Sequence, residues 1–199
     1  MKIYPVLLVL FTLLLFGCQP EDTSPIGRYR TAVNEGLQAD AAPKETVLGL
    51  QLGDTDRQFF DHCTQLNQQQ LITNGNGGNV VVHAMPDDLD RPAQMTFRPV
   101  FIGADPRRVQ AIELRVIYDD WSPWNASASA DSLLPKVADY FRRTLSTDPI
   151  EIQHPQHGRT FTSVDGNRLL ALWKEDGSTV KGMITDLSTL DADPLQLAK

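Results

Sequence analysis

The chain has 199 residues, of which 41% are hydrophobic and 22% are charged, a balance typical of a globular protein and not of a disordered one. Its formal net charge of −7, which no basic stretch offsets, argues against a nucleic-acid partner and against electrostatic docking on anionic lipid. The length allows one ordinary domain and is short for two.

The chain begins with a short apolar run, Val6 to Phe16, which follows the positive charge of Lys2. A membrane-spanning helix needs about 20 apolar residues, so this run instead fits the apolar core of a secretory signal. The run ends in Leu15-Phe16-Gly17-Cys18, and these four residues resemble the lipobox of bacterial lipoproteins: an aliphatic, a variable and a small residue before the cysteine that is acylated. An ordinary signal peptide would have small residues at two positions before its cleavage site, and Leu15 and Phe16 fit that pattern poorly.

The lipobox resemblance implies that residues 1–17 are removed as a signal peptide and that Cys18 carries fatty-acyl chains such as palmitate, which anchor the protein in a membrane. An aspartate after the cysteine is the family's usual signal for retention at the inner membrane, but Gln19 stands there, so we expect the outer membrane. Gln19-Pro20-Glu21-Asp22 also resembles a surface-export signal, which leaves both the periplasmic face and the cell surface open. With Cys18 acylated, Cys63 has no partner for an intrachain disulfide.

Composition divides the mature chain into three parts. Residues 18–45 are polar and rich in proline and glycine, and they predict a flexible tether in which only Tyr29 to Leu37 could form a weak helix. Residues 46–187 predict a single globular domain, and residues 188–199 a polar tail.

Two amphipathic helices are predicted in the globular part. Thr55 and Gln58 have the spacing of a capping box, and the helix that they begin is predicted over residues 56–71. A second helix begins near Asp131 or Ser132, either of which could cap it. The second helix has an apolar stripe of Leu134, Val137, Ala138, Phe141 and Leu145. The residues predicted to be buried are Phe59, Cys63 and Leu66 in the first helix and Leu134, Val137 and Phe141 in the second.

Each helix is followed by a series of predicted strands. The first series covers residues 79–84, 95–102 and 109–118, and the second covers 160–164, 168–175 and 179–186. The turns of the second series contain Asp165-Gly166 and Asp176-Gly177, which are strong hairpin signals. The expected fold is therefore α+β, an antiparallel sheet with two amphipathic helices packed on it and a helix-plus-three-strand unit that occurs twice.

This tandem order resembles the layout of the β-lactamase-inhibitor-like proteins. The segment Gly49-Leu50-Gln51-Leu52-Gly53-Asp54-Thr55, which leads into the first helix, is similar to the start of the small BamE-type outer-membrane lipoproteins. Both resemblances imply an architecture, which by itself carries no function.

The sequence contains neither a G-x-S-x-G elbow nor an H-E-x-x-H motif, so we assign no catalytic, cofactor-binding or metal-binding residue. His154 and His157 are three residues apart, but the intervening Pro155 favours a loop over a helical metal site.

A candidate partner- or ligand-binding segment follows the third predicted strand. It consists of Tyr118, Asp119, Asp120, Trp121, Trp124 and Asn125. Two interpretations stay open: the tryptophans fold back over the sheet edge as a lid, or they form a stacking platform for a sugar ring or a protein side chain.

The leading functional hypothesis is a non-enzymatic lipoprotein that binds a protein or a glycan of the cell envelope. One alternative is a membrane-anchored hydrolase whose site is assembled from distant residues, such as Asp119, Asp120 and a histidine. The other is an inhibitor of a periplasmic enzyme.

Overall fold

The computed structural model of the chain describes residues 22–40, 42–75 and 80–197. The predicted signal peptide and Cys18 lie outside these ranges. Within them the protein is α+β, as predicted: three α-helices accompany an eight-stranded antiparallel sheet and a separate two-stranded one. None of the helices in these ranges is long and apolar enough to cross a membrane.

The helices are α1 (Pro25–Leu37), α2 (Asp56–Gln68) and α3 (Ala130–Thr144). The strands of the small sheet are β1 (Lys44–Glu45) and β2 (Gln51–Leu52). The large sheet contains β3 (Thr73–Asn74), β4 (Val81–Met85), β5 (Ala93–Ile102), β6 (Arg108–Tyr118), β7 (Ile150–His154), β8 (Gly158–Asp165), β9 (Arg168–Lys174) and β10 (Val180–Asp186). Their spatial order is β3-β4-β5-β6-β10-β9-β8-β7.

The large sheet consists of two topologically equivalent halves. In each half a helix, α2 or α3, precedes a four-stranded meander, and the last strands of the two meanders, β6 and β10, pair antiparallel at the centre. The predicted tandem order is thus present, with four strands in each half instead of three. The additional strands are β3, which has two residues, and β7, which lies between Pro149 and Pro155.

One face of the sheet, which we call the α3 face, holds the main core. There Leu114 of β6 and Leu172 of β9 lie on either side of Gly182 of β10, and α3 covers all three strands. The predicted stripe residues Leu134, Val137 and Phe141 are buried in this core, as are Phe59 and Leu66 of α2. The predicted burial of Cys63 is wrong, because its side chain is only half-buried at the edge of the core.

The two predicted helix starts have different outcomes. The capping box of α2 is present, with the Gln58 N–H donating to Thr55 Oγ1 (3.2 Å) and the Thr55 N–H to Gln58 Oε1 (2.9 Å). Helix α3 begins at Ala130, before Asp131 and Ser132, and its N-cap Ser129 makes no side-chain capping bond. The Ala130 N–H instead donates to the Gly177 carbonyl (2.9 Å), so the turn between β9 and β10 supplies a hydrogen-bond acceptor for the first residue of α3.

The opposite face of the sheet, the α1 face, is partly covered by two segments outside the predicted globular domain: the tether, in which only a weak helix at Tyr29 to Leu37 was predicted, and the polar tail. Within the predicted tether of residues 18–45, α1 begins at Pro25 after its N-cap Ser24, and it buries Tyr29 and Val33 against Ile152 and Leu169. The predicted polar tail packs there too: Leu197 is buried, and the Tyr29 hydroxyl donates to Asp193 Oδ1 (2.5 Å). The structure differs from both expectations because each segment offers apolar side chains to the same patch of strands β7 to β9.

Gly182→Ala tests the close packing at the centre of the α3 face. A Cβ at this position would lie 2.6 Å from Leu114 Cδ1 and 2.7 Å from Leu172 Cδ2, far inside van der Waals contact. We expect the overpacking to lower the free energy of unfolding by about 1–3 kcal/mol, measured by urea denaturation. The matched control is Gly177→Ala, whose added Cβ meets nothing within 4 Å and should leave the midpoint nearly unchanged. Equal effects of the two substitutions would contradict this account of the centre.

Candidate functional site

The predicted binding segment begins where β6 ends, and its first residue is a core residue. Tyr118 is buried, and its hydroxyl donates a 2.6 Å hydrogen bond to Asp90 Oδ1 in the loop between β4 and β5. Burial and this hydrogen bond raise the pKa of Tyr118, so the phenol stays protonated. Tyr118 therefore anchors the segment and does not form part of an open surface.

Arg91 connects the segment to the loop between β4 and β5. Its guanidinium lies over the Tyr118 ring at 5.1 Å, and its Nη1 donates to Asp120 Oδ2 at 3.0 Å. The same Nη1 lies 3.5 Å from Ser127 Oγ. One cation thus holds both ends of the loop that follows β6.

Hydrogen bonds inside the loop fix its backbone. The Trp121 N–H donates to the Tyr118 carbonyl (3.2 Å), and the Asn125 N–H donates to the Ser122 carbonyl (3.0 Å). Ser127 Oγ donates to Asn125 Oδ1 (2.7 Å) at the start of a short 3₁₀ helix, Ala126–Ala128. The loop is therefore ordered before anything binds to it, which lowers the entropic cost of binding.

The two tryptophans lie outside the core. Trp121 is 38% exposed and Trp124 is 91% exposed, so Trp124 covers nothing. This excludes the lid interpretation for Trp124 and leaves an aromatic ring presented to solvent on an ordered loop. The nearby carboxylates of Asp119 and Asp120 make the surroundings acidic.

Of the predicted set, Asn125 Nδ2 donates to Asp120 Oδ2 (3.4 Å), and Arg91 connects Asp120 to the Tyr118 ring. Trp121 and Trp124 extend from this group into solvent. Asp119 takes part through its backbone, whose N–H donates to the Pro92 carbonyl (3.1 Å). Sequence reasoning missed Asp90 and Arg91, which lie about 30 positions earlier. To place Asp90 and Arg91 beside the segment, a prediction would have needed the register of β5 and β6, in which Ala93 pairs with Tyr118.

A second polar cluster, also missed from the sequence, lies on the α1 face of the central strands β5, β6 and β10. Its centre is the buried Glu113, whose carboxylate is in contact with Arg98 and lies 3.0 Å from Lys181 Nζ and 3.4 Å from Arg115 Nη2. Burial acts to raise the pKa of Glu113, but the hydrogen bonds from Lys181 and Arg98 outweigh it and hold the pKa below its usual range. Arg115 also binds Glu175 through two hydrogen bonds of 2.7 and 2.9 Å.

The same cluster continues into a stack of three rings. The His157 ring stacks on His154 at 4.4 Å and on Trp173 at 4.6 Å, and Lys181 Nζ lies 5.9 Å from the centre of the Trp173 ring. His154 Nδ1 accepts hydrogen bonds from the backbone N–H groups of Gln156 and His157, so its Nε2 carries the proton and donates to the Leu195 carbonyl (3.0 Å). The histidine pair thus has a structural part in the turn and in docking the C-terminal segment. Among the described residues, no three His, Cys, Asp or Glu side chains are arranged to hold a metal ion.

No family model, no curated protein and no solved structure matches the chain.

Trp124→Ala distinguishes an exposed platform from a structural ring. Because the Trp124 side chain is almost wholly in solvent, we expect its removal to change the free energy of unfolding by less than about 0.5 kcal/mol. The control is Trp173→Ala, which removes a ring that is only 8% exposed and should cost about 3–5 kcal/mol. Thermal and urea unfolding of residues 19–199 measures both, and a large loss for Trp124→Ala would restore the lid interpretation.

His157 gives the fold a dependence on pH in mild acid. Burial, His154 and Lys181 lower the pKa of His157 from its ordinary value of 6.5. The unfolded chain therefore binds a proton at this imidazole more readily than the folded protein does. Stability falls as the pH drops through 6.5 and stops falling once the lowered pKa is passed.

His157→Phe keeps a ring in the stack and removes the titration. We expect the melting temperature of the variant to fall less steeply than that of the wild type between about pH 7.5 and 5.5. Parallel curves for the two proteins over this range would show that His157 does not contribute.

Proposed function

We propose that the chain is a lipid-anchored lipoprotein of the outer membrane or cell surface and that it acts as a non-enzymatic binding module of the cell envelope. The anchor rests on Leu15-Phe16-Gly17-Cys18, and the binding activity rests on one observation, the 91% exposed Trp124 on an ordered loop. Tryptophan is enriched among the residues that contribute most of the binding energy at protein interfaces. The exposed Trp124 side chain takes no part in packing the core.

The described fold begins close to the proposed anchor. The cap of α1 is Ser24, and an extended chain spans at most about 3.6 Å per residue, so the six steps from Cys18 to Ser24 reach at most about 22 Å. A lipid on Cys18 would therefore keep the folded domain near the membrane surface. A partner that belongs to the same envelope, either a protein or a glycan, is the one that such an anchor favours.

The chemistry around Trp124 suggests how a partner would bind. The indole offers a flat apolar face for a sugar ring or an aliphatic side chain, and Asp119 offers an acceptor for hydroxyl or cationic groups. Since Arg91 already orders the loop through Asp120, binding would freeze little additional backbone.

The hydrolase alternative has less support. The four histidines of the chain are engaged elsewhere: His62 with the Leu48 carbonyl, His83 with the Leu71 carbonyl, His154 with the Leu195 carbonyl, and His157 in its ring stack. None of these contacts brings a histidine to Asp119 or Asp120, so the suggested catalytic set lacks a general base. An inhibitor of a periplasmic enzyme would be one form of the binding module that we propose.

A photo-crosslinking amino acid at position 124 in intact cells tests the proposal. We expect a discrete adduct between the protein and an envelope component, because the side chain at this position faces the solvent. The matched control carries the crosslinker at Arg57 of α2, whose side chain is 89% exposed and which lies beside the opposite end of β6, and it should give no such adduct. The Cys18→Ala variant should lack acylation in mass spectra of the mature amino terminus and should lose the adduct.

The two parts of the proposal can fail separately. An unmodified amino terminus at another cleavage site would refute the lipid anchor. Acylated protein without an adduct at position 124, or with the same adduct at position 57, would refute the binding loop.

A further inference from the structure

The loop of residues 119–129, which we call the tryptophan loop, lies in strongly acidic surroundings. Arg91 of the loop between β4 and β5 binds Asp120, and Lys136 of α3 binds Asp90, so residues 86–92 and 130–137 are its neighbours. Together the three segments contain two cations, Arg91 and Lys136, and six aspartates: Asp87, Asp88, Asp90, Asp119, Asp120 and Asp131. The surface around Trp124 therefore carries an excess of negative charge.

The cations close to the tryptophan loop are already bound within the protein. Each of them pairs with an aspartate: Arg91 with Asp120, Lys136 with Asp90, and Lys174 of β9 with Asp131. Asp119 is different, because it is exposed and no lysine or arginine in the described part of the chain forms an ion pair with it. Its negative charge is available to a partner.

The tryptophan loop already shows how an aromatic ring and a carboxylate hold a cation together. The Arg91 guanidinium lies over the Tyr118 ring at 5.1 Å and donates to Asp120 Oδ2 at 3.0 Å. The face of an aromatic ring carries partial negative charge, so the ring and the carboxylate attract the same cation. Trp124 and Asp119 present the same two kinds of group to the solvent, where no cation of the protein is bound to Asp119.

These two groups lie on a loop whose ends are close together. Asn125, the residue after Trp124, donates from its Nδ2 to Asp120 Oδ2 at 3.4 Å, and Asp120 directly follows Asp119. A lysine or arginine carries its charge at the end of a flexible apolar stem. Such a side chain can cover the indole with its stem and direct its charge to the carboxylate.

We propose that the partner of the tryptophan loop is a protein that binds through a basic side chain, which lies on the Trp124 ring with its charge directed to Asp119. This inference rests on the proposed binding role of Trp124 and adds the chemistry of the partner. The net charge of −7 also attracts a basic partner over a longer distance.

Other occupants of the loop use its charge less well. A neutral sugar can stack on the indole and donate hydrogen bonds, but it gains nothing from the excess negative charge. The ammonium head group of a lipid is attached to a phosphate, and the aspartates repel that phosphate. A basic side chain of a protein carries no attached anion, so it fits the surroundings of Trp124 best.

NMR titration with the acetylated, amidated hexapeptide of lysine tests the inference. The protein is the chain from Gln19 to Lys199, which contains every described residue, and the backbone amide signals of residues 119–129 report binding. We expect saturable shifts that weaken when the salt concentration is raised from about 20 mM to about 500 mM. The matched ligand is the same peptide with every lysine side chain acetylated, which keeps the stems and removes the charges. It should bind about tenfold more weakly or less.

Two substitutions separate the ring from the carboxylate. Trp124→Leu keeps an apolar side chain without the ring, and we expect it to weaken hexalysine binding about three- to fivefold. Asp119→Asn removes the charge at nearly constant shape and should weaken binding about two- to fivefold. The matched control is Asp191→Asn, which removes the same charge from an exposed position. Asp191 follows Thr189, whose hydroxyl binds Gln110 at the opposite end of β6, so binding should be unchanged.

Two results of the titration would overturn the inference. One is equal affinity for hexalysine and its acetylated form, or for hexalysine in the wild type, Trp124→Leu and Asp119→Asn. The other is a neutral oligosaccharide, maltohexaose, that binds the tryptophan loop more tightly than hexalysine does.

The crosslinking experiment at position 124 separates this inference from the proposed function. Absence of any adduct would refute the proposed function, and this inference with it. An adduct with a glycan, or with a protein segment that contains no lysine or arginine, would leave the binding module standing and overturn this inference alone. We expect a protein adduct whose crosslinked peptide, identified by mass spectrometry, contains a basic residue, and we expect Asp119→Lys to abolish it by charge repulsion.

Discussion

The structure depends on the antiparallel pairing of β6 with β10, the one place where the two halves of the large sheet meet. Six residue pairs join them, from Val116 with Val180 to Ala111 with Thr185. On the α3 face the junction is apolar, and Gly182 leaves the space in which Leu114 and Leu172 approach each other beneath α3. Each half has a helix above its meander, so closing this seam produces one continuous core from two similar units.

On the other face the same seam is held by charge. Glu113 of β6 is buried and receives Arg98 from β5, Arg115 from its own strand and Lys181 from β10. Removing one cation would leave a buried carboxylate with fewer partners, which is costly. The seam therefore combines hydrophobic packing on one side with an ion network on the other.

The proposed binding loop lies where the regular sheet stops. The tryptophan loop leaves the end of β6, and Arg91 and Tyr118 hold it from below. Because Arg91 contacts Asp120 and Ser127 at the two ends of the loop, the Trp124 side chain is exposed on an ordered backbone.

The sequence by itself determined the elements whose signals are local. The capping box at Thr55, the apolar stripe of α3 and the Asp-Gly turns each act within a few residues, and all of them gave the correct element. The tertiary structure decided what depends on distant partners: the packing of α1 and the C-terminal segment, the start of α3 at a strand turn, the strand β7 and the cation Arg91 beside Asp120. These features gain their stability from contacts with residues far along the chain. A local pattern cannot specify such contacts, because burial and pairing depend on the register of the whole sheet.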